Sequence, residues 1–372
     1  MHRPVTRRPF FAMRIMVGRS SLVLCLLLAM VLVHACHTDR GTVTAFHGPT
    51  PYSLKFPEWA SDSAHKPMLP HDNPLTEEGI VLGRRLFYDK ALSRDGTISC
   101  GTCHVQQHAF SDPRRFSVGM EDEAGSRNAM ALMNLAWGHF YFWDARASTL
   151  ELQALSPVKD HREMFNAWPE VIQRLRERPG YEDQFRNAFG TFAFDSLHVV
   201  FALAQFERTL ISFNSPFDRF HYGCDSTALS IPEQRGMDLF FGEAHCADCH
   251  ELPLFQDHGV INIGLDSVPA DKGLGGHTGV AQHMGRFKTP TLRNIAVSAP
   301  YMHDGRFATL KEVVDFYADD VHLDIPNFDD HMFAWKLGVV QLDQQERADL
   351  VNFLTALTDS TFLNAPSLSD PN

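Results

Sequence analysis

The sequence predicts a mostly α-helical protein folded in two halves. Three observations carry this. Apolar residues recur at helical spacing along much of the chain, and runs of alternating β-branched residues are scarce. One short pattern, Cys-x-x-Cys-His, occurs once in each half, beginning at Cys100 and at Cys246. A length of 372 residues suits two domains of ordinary size. A chain that is 44% hydrophobic and 21% charged has material for real cores, which excludes a disordered or collagen-like protein. A formal charge of −12, with no basic block beyond the N-terminus, argues against a nucleic-acid partner.

The N-terminus reads as an export signal. Arg3, Arg7, Arg8, Arg14 and Arg19 precede an apolar run over 22–33. That run is short of the ~20 residues needed to span a membrane and suits a signal h-region. Met13 is an alternative start. Val33-His34-Ala35-Cys36 resembles a lipobox, where cleavage precedes a lipid-modified cysteine, although His34 is unusual there. The expectation is a lipoprotein-type signal over 1–35 with lipid on Cys36. A soluble periplasmic protein and an uncleaved anchor are the alternatives. All three place the folded part outside the cytoplasm, in the periplasm or on the envelope exterior.

Residues 36–75 are rich in Pro, His, Ser and Thr and read as a tether and irregular arm. The folded part divides into 76–222 and 223–365, with 366–372 as a tail. Helical patterns cover 76–92 and 168–185, the latter with Pro169 near its start. A third, over 197–213, is apolar on most faces and expected to be buried. The stretch 216–232 reads as a crossover between the halves. Further helices are expected near 233–241, 310–317 and 343–357. The segments around the two motifs are not otherwise alike, so any duplication is old or only architectural.

Cys100-Gly-Thr-Cys103-His104 and Cys246-Ala-Asp-Cys249-His250 match the pattern for covalent attachment of c-type haem. Two thiols on one turn reach the two vinyl groups of one haem, and the adjacent His is carried beneath the ring as iron ligand. The competing readings are zinc and a redox dithiol. Zinc needs four ligands, and each motif offers three that cannot close on one metal. A thioredoxin-like dithiol would sit in a βαβ pattern, which is missing here. Two motifs on one exported chain therefore imply two covalent haems. Cys224 is left over, expected as a buried free thiol.

Several further segments carry a family resemblance. They are Leu82-Gly83-Arg84-Arg85-Leu86-Phe87-Tyr88-Asp89, Leu92-Ser93-Arg94, Phe142-Trp143-Asp144-Ala145-Arg146-Ala147, and Gln153-Ala154 with Pro157 and Glu163-Met164. In the second half they are Thr289-Pro290-Thr291-Leu292-Arg293-Asn294 and Ala299-Pro300-Tyr301-Met302-His303-Asp304-Gly305. With these, the chain resembles the bacterial di-haem cytochrome c peroxidases and their MauG-like relatives of methylamine utilisation. The resemblance implies two cytochrome c-like domains, one covalent haem each, packed with the haems near a shared interface.

It also implies distinct roles. His104 would be the proximal ligand of a peroxidatic haem, with Glu163 moving peroxide protons beside Gln153 and Pro157. His161 is the competing acid–base candidate. The distal His that caps this haem in many members would fall at Met120, so the pocket is expected to be open without reductive activation. Met120 is a weak candidate for a sixth ligand, and His108 should stay on the proximal side. For the second haem, with His250 proximal, Thr309-Leu310-Lys311-Glu312 fits a capping box. Leu310, Val313, Val314 and Tyr317 then form one inward stripe. Tyr317 falls where donor-cytochrome peroxidases carry a Met ligand and the MauG-like branch a Tyr. Met302, Met284 and His283 are the runners-up. A phenolate stabilises oxidised iron, whereas a thioether favours the ferrous state.

By resemblance Trp143 would bridge the haems. Asn128, Ser298 and Pro300 would hold a calcium ion between the domains, where oxygen donors suit that metal. Arg293, Arg306 and His303 are candidates for haem propionates or for the inter-haem path. Ala244 departs from the methylamine-utilisation prototype, which has a surface Trp there. The leading expectation is a peroxidase acting on hydrogen peroxide, His/Tyr-ligated at its second haem and able to oxidise a partner protein. The alternatives are a peroxide-detoxifying enzyme fed by a small cytochrome and a di-haem electron carrier without peroxide chemistry. The resemblance allows a homodimer, and contact with a membrane is expected only through the N-terminal lipid.

Overall fold

The computed structural model describes residues 48–61 and 65–371. The export signal and Cys36 lie outside them. In the first half, α1 (Glu77–Tyr88), α2 (Leu150–Lys159), α3 (Trp168–Glu177), α4 (Tyr181–Phe189) and α5 (Ser196–Glu207) surround one core. The short α6 (Pro216–His221) leads into the second half. There α7 (Ile231–Phe241), α8 (Leu310–Asp315) and α9 (Gln344–Thr355) pack around Phe217, Phe240, Phe255 and Phe353. Among the described residues, regular strand is confined to an antiparallel pair, β1 (Val260–Ile261) and β2 (Phe287–Lys288). The fold is mostly α, as the periodicity predicts.

The same crossing holds each half. Leu82, Leu86 and Phe87 of α1 meet Val199, Leu203 and Phe206 of α5, all essentially buried. Each such side chain stabilises by on the order of 1.5–3 kcal/mol. The helices touch at backbone distance because of Gly83, where a Cβ would lie 1.9 Å from the Ala202 carbonyl oxygen. In the second half Gly236 of α7 does the same against α9, its Cβ position 2.0 Å from the Asp349 oxygen.

Three helical expectations change in detail. The stretch 168–185 is two helices, because Pro179 and Gly180, at φ 85°, break it. The helix expected over 197–213 stops at Glu207, where Arg208 turns to a buried pair with Glu151 at 2.6 Å. The crossover contains α6, capped by Ser215. The sequence reading missed α2, whose internal Pro157 argues against a helix. The segment expected as a tail packs back: Leu368 is buried in the first-half core, and Arg84 Nε donates to the Ser369 carbonyl at 2.7 Å.

A structural repeat links the halves, at odds with the impression that they share little beyond the motifs. At one constant offset, Asn128 matches Lys288, Asn134 matches Asn294 and Tyr141 matches Tyr301. Trp143 then matches His303, Arg146 matches Arg306, and Pro157 matches Tyr317. The geometry repeats with them. Asn134 and Asn294 both adopt left-handed backbone, and their N–H groups donate to the Leu210 and Leu357 carbonyls. Tyr141–Ala147 and Tyr301–Phe307 form matching bridges. Thr149 and Thr309 cap α2 and α8.

Candidate active site: two cavities with a common wall

Cys100–Cys103 form one helical turn capped by Ser99 and Thr102, which delivers His104 to its end. Cys100, Cys103 and His104 line a cavity of about 560 Å³. The His104 Nδ1 lies 2.7 Å from the Phe110 carbonyl oxygen. A carbonyl only accepts, so Nδ1 carries the proton and Nε2 keeps its lone pair for a metal. Burial holds the imidazole below its usual pKa, which keeps it neutral. The second half repeats this: His250 Nδ1 lies 2.9 Å from the Phe255 oxygen, on a cavity of about 240 Å³ that Cys246 and Cys249 also line.

The thiols are not those of a reactive redox site. Burial pushes Cys246 and Cys249 up to about 12 and raises Cys100 and Cys103 as well. Reactive dithiols need the opposite shift. No cluster of His, Cys, Asp and Glu among the described residues would hold a bare metal ion. Paired thiols beside a neutral, Nε2-presenting His on a roomy cavity fit covalent haem. Cys224, expected to be buried, is exposed.

The first cavity brings together Gln153, Pro157, Glu163 and Trp143 with Arg146. Glu163 is partly exposed, but to the cavity. Burial, then the neighbouring Asp160, raises its carboxyl to about 7, with Arg146 and Arg162 pulling the other way. Its backbone is fixed by the loop before it. Met120 N–H donates to the Glu163 oxygen at 2.9 Å, and a Cβ at Gly119 would sit 2.0 Å from the Arg162 oxygen. Met120 itself is turned into the core, its sulfur 4.0 Å from Thr97 Oγ1, and does not line the cavity. That geometry does not support the weak candidacy of Met120 as a ligand. His161 is mostly exposed and lies 3.3 Å from Glu123, away from the cavity. His108 faces the Val297 carbonyl at 3.2 Å.

On the second cavity Leu310, Val313, Val314 and Tyr317 all present their side chains, as the stripe predicts. Thr309 and Glu312 complete the capping box. Tyr317 lies in a π-helical turn, Phe316–Asp320, whose carbonyl at Tyr317 accepts from Trp335 Nε1 at 2.8 Å. Its hydroxyl has no hydrogen bond to another described residue. Burial, with the Cys249 and Cys246 thiols beside it, raises its pKa well above the usual phenol value. Met302 lines this cavity, whereas Met284 and His283 do not.

Trp143, Asn128 and Lys288 line both cavities. The halves exchange matched hydrogen bonds across this wall: Asn128 N–H donates to the His303 oxygen at 2.8 Å, and Lys288 N–H to the Trp143 oxygen at 2.7 Å. Trp143 Nε1 donates to the Asn128 oxygen at 2.9 Å. Asn128 Nδ2 donates to the Arg114 and Arg115 carbonyls. Ser298 and Pro300 line the same second cavity. His303 stacks on Phe287 at 3.7 Å on its edge.

The other two candidates for propionates change. Arg293 is buried, paired with Asp218 at 2.9 Å and donating to the Pro253 carbonyl, and it holds the core rather than a cofactor. Arg306 is bound to Asp266 and Asp304. Two cavity residues escaped the sequence reading. Glu207 is buried on the first cavity and raised to about 8 by burial and by Glu151, against the pull of Arg208. A carboxylate inside an otherwise apolar helix was its signal. Lys288 had no such signal.

Residues 77–226 match the family model described as di-haem cytochrome c peroxidase. The chain is 39% identical over 291 residues to the methylamine utilization protein MauG of Methylorubrum extorquens, covering 77% of this chain and 80% of that one. The chain belongs to the di-haem cytochrome c peroxidase family. It is also 33% identical over 337 residues to the cytochrome-c peroxidase IdrP1 of a Pseudomonas species, covering 80% of this chain and 87% of the relative. A crystal structure of a MauG-like protein associated with microbial copper homeostasis superposes with TM-score 0.77 at 34% identity, over 86% of this chain and 99% of the other. The family binds two haems, so the two cytochrome c-like halves are its haem domains and the chain is a peroxidase acting on hydrogen peroxide. No helix among the described residues is long and apolar enough to cross a membrane.

Proposed function

We propose that this peroxidase reduces hydrogen peroxide at the first haem, carried by Cys100, Cys103 and His104. Electrons then pass through the second, carried by Cys246, Cys249 and His250 and ligated by Tyr317. One observation carries the reading: Pro157 and Tyr317 occupy equivalent positions of the repeat. Proline offers no donor, so this position would not close the open face of a haem held in the first cavity. Tyrosine at the same place offers an oxygen to the second.

When bound, the first haem would supply a redox-active iron centre for peroxide. The protein supplies the rest. The ionised Glu163 carboxylate accepts the peroxide proton and returns it to the departing oxygen. Gln153 and Arg146 present polar groups where the leaving water forms, and Pro157 keeps the ligand position clear. Two electrons and two protons convert one peroxide to two waters. Trp143, shared by both cavities, would carry electrons between bound haems, and Asn128, Ser298 and Pro300 would hold a calcium ion at this wall.

A phenolate ligand favours oxidised iron, so the electrons are drawn from a partner protein whose side chain is oxidised. The second reading, a small donor cytochrome, is favoured by the name of the IdrP1 relative. The protein is exported and tethered by lipid at Cys36. The test is peroxide consumption by the ferric enzyme with and without prior reduction. Equal initial rates support the MauG-like reading. Inactivity until one haem is reduced supports the donor-cytochrome reading. Unchanged peroxide turnover in Glu163→Gln would take the acid–base role away from Glu163.

A further inference from the structure

Other basic side chains near the cavities are spoken for: Arg127 by Asp144 and Asp271, Arg208 by Glu151, and Arg293 by Asp218. Lys288 is not. It sits on β2, its backbone tied to Trp143, and its side chain lines both cavities. No carboxylate among the described residues pairs with its amine, and Asp257 is the acid whose field reaches it. Lys288 is partly exposed, on the two cavities that it lines. An ammonium there without a carboxylate partner is disfavoured once a cofactor excludes water, so the site suits an anion that the polypeptide does not supply. Its counterpart in the repeat is the neutral Asn128, so the wall carries this cation on one side only.

Each haem brings two carboxylates, on the ring edge opposite the vinyl groups that bond to cysteine. Cys100 and Cys103 line only the first cavity, and Cys246 and Cys249 only the second. A haem anchored there would have its vinyl edge away from the residues the cavities share, which would leave its carboxylate edge to face them. We propose that the Lys288 ammonium is a counter-ion shared by carboxylates of both haems, and that its charge sets the potential of each. Lys288 is then a positioning residue for electron transfer, acting through the haem carboxylates. A positive charge beside both centres favours their reduced forms, so removing it lowers both potentials together. The proposal rests on the two-haem reading, which haem content measured by pyridine haemochromogen tests separately.

The experiment is a redox titration of the purified holoprotein and of Lys288→Gln and Lys288→Arg, each with two haems confirmed. In Lys288→Gln the reduction equilibrium of both haems should move at least tenfold toward ferric, about 59 mV for one electron. Lys288→Arg should stay near wild type. Unchanged potentials in Lys288→Gln, or a shift of one haem alone, would overturn the shared counter-ion. Should Lys288→Gln fail to retain haem, Lys288→Arg carries the test by resonance Raman. Altered propionate bending bands support the contact, and bands identical to wild type refute it.

Discussion

Replacing Glu163 by Gln separates acid–base chemistry from mere shape. Burial and Asp160 move its carboxyl from 4.5 to about 7, which amounts to about 3 kcal/mol against the ionised form. The carboxyl is then about one-tenth ionised at pH 6 and about nine-tenths at pH 8. A base that must be ionised to accept the peroxide proton makes the reaction rise about tenfold across that interval, with its midpoint near 7. A positioned general base contributes about 10²- to 10⁴-fold. Stopped-flow mixing of the ferric enzyme with peroxide should therefore show a loss of that size in Glu163→Gln, together with a flat pH profile. Stability gives a second readout. An acid raised on folding stabilises the fold below its unfolded pKa, and that contribution is lost as pH rises through about 7. Wild type should lose thermal stability from pH 5 to 8 relative to Glu163→Gln. A variant that keeps the pH step, or loses less than tenfold, would refute the role of Glu163.

Other expectations follow from the same geometry. Gly119→Ala pushes a Cβ into the Arg162 carbonyl. It should cost about 1–3 kcal/mol in denaturant melts and slow peroxide turnover, because the same contact fixes Glu163. Arg293→Met leaves Asp218 buried without its partner and should cost about 3–5 kcal/mol, read in the same melts, with haem spectra unchanged in whatever protein folds. Cys36→Ser should release the protein from membrane fractions into the soluble periplasmic fraction, and unchanged retention would refute the lipid anchor.

Much of the site was legible because its chemistry is local. Each Cys-x-x-Cys-His motif is a single turn, and the Leu310–Tyr317 stripe with its Thr309 cap is a single helix start. What stayed hidden depends on non-local packing. The repeat lies downstream of the motifs and keeps a different spacing from them, so comparing the motif surroundings does not reveal it. Pro157 disguised α2, since a proline inside a segment argues locally against a helix. Arg293 reads in the sequence as a candidate for a propionate or for the inter-haem path because it stands in a family motif. Only the fold shows Asp218 and the Pro253 carbonyl waiting for it. Glu207 and Lys288 acquire meaning only when two cavities close around them.

The assignment of Tyr317 as the second iron's ligand is the claim on which the His/Tyr reading turns. Electron paramagnetic resonance and resonance Raman spectra of the ferric holoprotein, beside those of Tyr317→Phe, address it directly. Wild type should show one high-spin and one low-spin haem with tyrosinate-to-iron bands. In Tyr317→Phe those bands and the low-spin signal should vanish while the high-spin signal persists. Spectra identical in the two proteins would contradict the assignment and pass the ligand role to Met302.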